Sequence, residues 1–82
     1  MKPGEPTVLR IGGFRFYFFS REEARPHVHV QRAEGEVKFW LEPAVELANN
    51  YGLGTRRVNE AQRLVEEHFD EIRSAWNKHF GR

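Results

Sequence analysis

Two histidines one residue apart, His27 and His29, are the groups in this 82-residue chain best placed to do chemistry. On an extended backbone alternate side chains point the same way, so both imidazoles share one face. There they are close enough to act as an acid–base pair, or to ligate one divalent ion with Glu42 as a third ligand. Arg10, Arg15 and Lys38 suit phosphate oxygens and Trp40 suits a stacked base, the combination used by single-stranded nucleic-acid platforms. The same set also suits an ordinary solvated sheet face, or a docking surface for a protein with Trp40 and Arg15 as anchors. His68 and His79 fall at the edge of a helical stripe and read as packing residues.

Several kinds of chemistry are excluded. The chain has no cysteine, which removes disulfides, thiolate zinc sites and cysteine nucleophiles together. It has no P-loop, no dinucleotide fingerprint and no Ser-His-Asp order, so no motif asks for a cofactor. With 13 basic and 12 acidic residues the net charge is +1, so only a local cluster of arginine and lysine can argue for nucleic acid. No apolar run reaches the roughly 18 residues of a membrane span, and the absence of cysteine favours a cytoplasmic address.

The elements that must position these residues follow from turn chemistry and periodicity. Residues 1–6 hold two prolines and a glycine and read as a disordered lead-in, with one α+β domain over 7–82. Thr7–Ile11, Gly12-Gly13 and Phe14–Ser20 spell strand, tight turn and strand, because two glycines supply the positive φ a primed turn needs. That turn pairs Ile11 with Phe14, Arg10 with Arg15, Leu9 with Phe16 and Val8 with Tyr17. Leu9, Ile11, Phe14, Phe16 and Phe18 then form an apolar face, and Arg10 stands opposite Arg15 on the other. Like charges in direct register are unfavourable without an anion between them.

After a charged loop, a second hairpin runs through His27–Arg32, a turn at Glu34-Gly35 and Val37–Glu42. This register pairs Val30 with Phe39, Val28 with Leu41, His29 with Trp40, His27 with Glu42 and Gln31 with Lys38. Pro43 stops the strand, Val45–Asn49 is expected to form one helical turn, and Thr55 is the expected N-cap of the last element. From Val58 the apolar stripe Ala61, Val65, Phe69, Ile72, Trp76 and Phe80 recurs at helical spacing. It predicts either one long helix or a run broken near His68, with Asp70 capping a second helix. The expected architecture is a four-stranded antiparallel sheet of two β-hairpins packed on a long C-terminal amphipathic helix.

Five segments taken together, R-I-G-G-F-R-F-Y-F-F-S, R-P-H-V-H-V, V-K-F-W-L-E-P, E-L-A-N-N-Y-G and A-W-N-K-H-F-G, resemble the bacterial and archaeal family named domain of unknown function 4160. The likeness spans about Thr7 to Gly81 and rests at its most specific on P-H-V-H-V with K-F-W-L. Its motif positions are Arg10, Gly13, Phe14, His27, His29, Lys38, Phe39, Trp40 and Pro43. One departure is Arg25, which precedes Pro26 where a second proline is common. The resemblance implies a small toxin-like module of a toxin–antitoxin-type pair, held by a small antitoxin-like protein and directed at RNA. On that expectation His27 and His29 are the acid and base of a ribonuclease, Arg10, Arg15 and Lys38 bind phosphate, and Trp40 stacks a base.

Overall fold

The computed structural model describes residues 7–19 and 24–81; the lead-in expected at 1–6, residues 20–23 of the charged loop and residue 82 lie outside the described residues. β1 (Thr7–Ile11) and β2 (Phe14–Tyr17) form the first hairpin, with Gly12 and Gly13 at φ 57° and 83° as the primed turn requires. Ile11, Arg10 and Leu9 face Phe14, Arg15 and Phe16, as the turn dictates. The expected Val8–Tyr17 pair does not form. The register shifts between Thr7 and Leu9, and Tyr17 faces Thr7 instead.

β3 (His27–Arg32) and β4 (Gly35–Trp40) form the second hairpin around a turn at Ala33-Glu34. Its register is two residues away from the predicted one: Val30 pairs with Val37, Val28 with Phe39, His29 with Lys38 and His27 with Trp40. A two-residue slip keeps every side chain on its face, because the strand period is two, so the faces stand while the partners change. Gly35 misled the placement of the turn. It is needed one strand further on, where a Cβ would run into the Tyr51 carbonyl oxygen and the Gly52 backbone.

A fifth strand replaces the helical turn expected at Val45–Asn49: β5 (Glu46–Tyr51) pairs with β4. Asn49, Asn50 and Tyr51 are poor helix formers, and Asn50 closes the strand by exchanging hydrogen bonds with the Leu53 backbone at 2.9 and 3.1 Å. The sheet is therefore a five-stranded antiparallel meander in the order β1-β2-β3-β4-β5, not a four-stranded one.

The single long helix is two: α1 (Thr55–Glu67) and α2 (Phe69–Phe80), separated at His68 with φ −109° and ψ 24°. Asp70 and Glu71 occupy the first turn of α2, where negative charge favours a new helix start; neither Asp70 nor any other side chain caps it. Thr55 is the first residue of α1 rather than its cap, which is Gly54. The stripe itself persists through the break. Ala61, Val65, Ile72 and Trp76 are all buried and pack with Phe14, Phe16, Phe18, Val28, Val30, Val37, Phe39 and Leu41. Arg57 ties α1 to the second hairpin by pairing with Glu60 at 2.8 Å and with Glu34 at 3.5 Å.

Candidate functional site

The sheet face opposite the helices carries the predicted site residues, and it is largely closed. His27 is 0% exposed, His29 7% and Lys38 9%. Rings close it: His29 stacks on Tyr17 at 5.3 Å, meets Phe19 edge-on at 4.5 Å and lies 5.3 Å from His27. The His27 ring also meets Trp40 at 5.7 Å and, from the helix layer, Trp76 at 5.0 Å. This face is a small second core of aromatic groups with polar atoms rather than a solvated surface.

Polar atoms inside it are held in defined states. The His27 Nδ1 lies 2.7 Å from the Arg25 carbonyl oxygen, an acceptor only, so that nitrogen carries the proton and donates. The Tyr17 hydroxyl donates to Glu36 Oε1 at 2.6 Å, and the other Glu36 oxygen stands 3.5 Å from His29 Nδ1. Glu36 thus braces both rings. It has no place among the sequence-predicted site residues, although strand parity puts it on the same face as Lys38 and Trp40.

Cations surround this layer. Arg15 lies over the Tyr17 ring at 4.3 Å, and Lys38 and Arg25 lie over Trp40 at 4.5 and 4.1 Å. Arg25 is anchored in turn by the Glu42 carbonyl at 3.0 Å and by Glu46 at 3.7 Å. Trp40 is half-buried, so a base stacking on it must displace one of these cations. Arg10 is exposed and stands directly opposite Arg15, as the turn chemistry requires.

Glu42 does not join the histidines. It follows β4, where its carboxylate accepts hydrogen bonds from Arg73 at 2.7 and 2.8 Å, and Trp40 occupies the position across from His27. Among the described residues no group of three histidine, cysteine or acidic side chains could hold a metal ion. Both ring nitrogens of His29 are out of contact with solvent, so a polymer phosphate reaches them only if the surrounding layer opens. Of the predicted site residues, Arg10, Arg15 and the edge of Trp40 are open enough to meet a ligand, with exposed Arg25 beside them, while the imidazoles are buried. Arg25 lay outside the predicted set because its place in a charged loop gives no hint of its seat on Trp40.

A protein-family model described as a domain of unknown function, DUF4160, matches residues 13–77. Neither the curated proteins nor the solved structures contain a match.

Proposed function

The chain belongs to the DUF4160 family, and for it we propose an RNA-directed binding role, as the toxin-like member of a pair with a small antitoxin-like protein, exerted from the basic rim of the closed sheet face. What supports this reading most is the pairing of Arg10 with Arg15 in direct cross-strand register. Two planar guanidinium groups so placed put several fork-shaped donors side by side on one face, which suits the oxygens of a phosphate chain. Arg25 and the rim of Trp40 extend the basic track along the same face. His27 and His29 hold the layer together rather than turning over the RNA, because their rings are buried under Phe19, Tyr17 and Trp40.

A protein-docking reading has its own observation: Leu47 and Tyr51 on the edge strand β5 are 46% and 64% exposed, and an open strand edge can accept a partner's strand. Salt separates the two. Binding of a single-stranded RNA oligonucleotide, followed by fluorescence anisotropy, should weaken steeply with salt, and Arg15→Ala should lower the log–log slope by about one. Cleavage products should be absent. If the oligonucleotide does not bind at low salt, the RNA reading fails. A cognate protein captured with little salt dependence would then favour docking.

A further inference from the structure

We infer that a second copy of this chain pairs with the open edge of β5, giving a two-fold dimer with one sheet running through both copies. The inference uses neither the basic face nor any nucleic acid. β5 ends the sheet, so half of its backbone N–H and C=O groups point away from β4. Among the described residues, no backbone–backbone hydrogen bond reaches β5 from outside the sheet. The large apolar side chains most open to water among these residues, Leu47 at 46% and Tyr51 at 64%, both belong to this one strand.

The register of β5 decides which strand fits it. Its partners on β4 assign its faces: Glu46, Asn49 and Tyr51 stand across from Trp40, Lys38 and Glu36. Leu47 and Asn50 stand across from Phe39 and Val37, on the helix side. Ala48 is skipped, so alternation breaks in the middle of the strand. A regular partner strand can match the faces on one side of Ala48 and is then one residue out of phase on the other. A second copy running the opposite way carries the same extra residue at the facing place. Centred between Ala48 and Asn49, the pairing sets Glu46 against Tyr51 of the second copy and Leu47 against its Asn50. Each pair shares a face, and the match holds at both ends of the strand.

Charge permits this approach. Glu46 is the strand's one ionised side chain, and Arg25 stands 3.7 Å from it. The two Glu46 carboxylates fall at opposite ends of the pair, about 15 Å apart along the strands and beyond the screening length at physiological salt. Each meets a phenol instead, whose hydroxyl is a donor. β5 also has no lysine or proline, residues that commonly keep strand edges apart. The other free edge, β1, fits less well. Its Val8, Leu9 and Ile11 already pack against the core, and pairing β1 with β5 of another copy is a head-to-tail contact that opens into a filament. β5 on β5 is isologous and stops at two.

A single pair of strands buries less than the roughly 1,200–2,000 Å² of a stable interface, so the dimer should be weak and depend on concentration. Sedimentation velocity on the full chain, from micromolar to millimolar concentration, should show monomer giving way to dimer and nothing larger. Leu47→Lys, at an exposed position, should keep the wild-type circular dichroism and weaken dimerisation about tenfold or more. Each copy then loses a covered leucine and gains a charge on its edge. Hydrogen exchange in the wild type should slow at β5 amides as concentration rises, with β1 amides unchanged. A chain that stays monomeric at millimolar concentration overturns the pairing. So does a dimer that folded Leu47→Lys leaves intact, or one that protects β1 in place of β5. A different protein captured through β5, by a chain that remains monomeric alone, gives the edge to that partner and overturns the dimer.

Discussion

Replacing Tyr17 with Phe tests whether the face opposite the helices is a packed layer. Tyr17 is 2% exposed, and its hydroxyl donates to Glu36 Oε1 at 2.6 Å. The substitution removes that bond. The ring keeps its stacking on His29, its edge contact with Phe19 at 5.4 Å and the guanidinium of Arg15 above it. A hydrogen bond to a charged group contributes about 1.5–3 kcal/mol. The Glu36 side chain is 28% exposed, so the freed carboxylate regains part of its hydration. The expected net loss is then about 1–2 kcal/mol. In a domain this small each kcal/mol moves Tm by about 4–8 °C, so thermal denaturation followed by circular dichroism should show a drop of roughly 4–16 °C. Total stability at this length is about 4–12 kcal/mol, so the variant stays folded. A double-mutant cycle with Glu36→Gln should give a coupling of at least about 0.5 kcal/mol. A Tyr17→Phe variant within 0.5 kcal/mol of wild type, with no coupling to Glu36, would refute the packed layer and return this face to solvent.

Two further outcomes follow from the same geometry. Gly35→Ala should cost about 1–3 kcal/mol, because its Cβ meets the Tyr51 carbonyl and the Gly52 backbone, which must retreat; hydrogen exchange should then quicken at β5 amides before those of β3. Acid should weaken the tie between α1 and the second hairpin: Glu34 is held below the ordinary glutamate value of 4.5 chiefly by a hydrogen bond with its own backbone, and Glu60 by the hydrogen bond from Arg57. Depressed folded-state values mean the contribution is complete above the unfolded value and is lost as pH falls through the folded one. Urea midpoints should therefore hold steady down to about pH 5 and decline below it, less so in Glu34→Gln.

The parts of the fold legible in the sequence were those fixed by local chemistry. Gly12-Gly13 has one good conformation between two strands, so the pairing from Ile11–Phe14 to Leu9–Phe16 and the Arg10–Arg15 opposition follow from it. The helical stripe was legible because Ala61, Val65, Ile72 and Trp76 keep their spacing through the break at His68. Glycines whose roles are not local misled. Gly35 looks like a turn residue, yet its smallness serves a strand arriving from Tyr51 and Gly52. β5 was hidden for a related reason: Glu46–Tyr51 lacks both alternation and β-branched residues, and only pairing with β4 makes it a strand.

For the site, alternation placed His27, His29, Lys38 and Trp40 on one face correctly, but alternation carries no information about cover. Rings from Tyr17, Phe19 and Trp76 enclose the histidines, and Arg25 reaches Trp40 from a different loop.

The meander order has a kinetic consequence. Every strand pairs with its neighbour in sequence, so each step of sheet formation closes only a short loop and waits on no distant segment. During synthesis the strands can therefore pair as they emerge, in order, up to Tyr51. The helices that cover Phe14, Phe16, Val30 and Phe39 come last, a few seconds later at about 5–20 residues per second. For that interval the nascent chain presents an open aromatic sheet, and its arrival in a soluble state depends on how soon α1 and α2 dock.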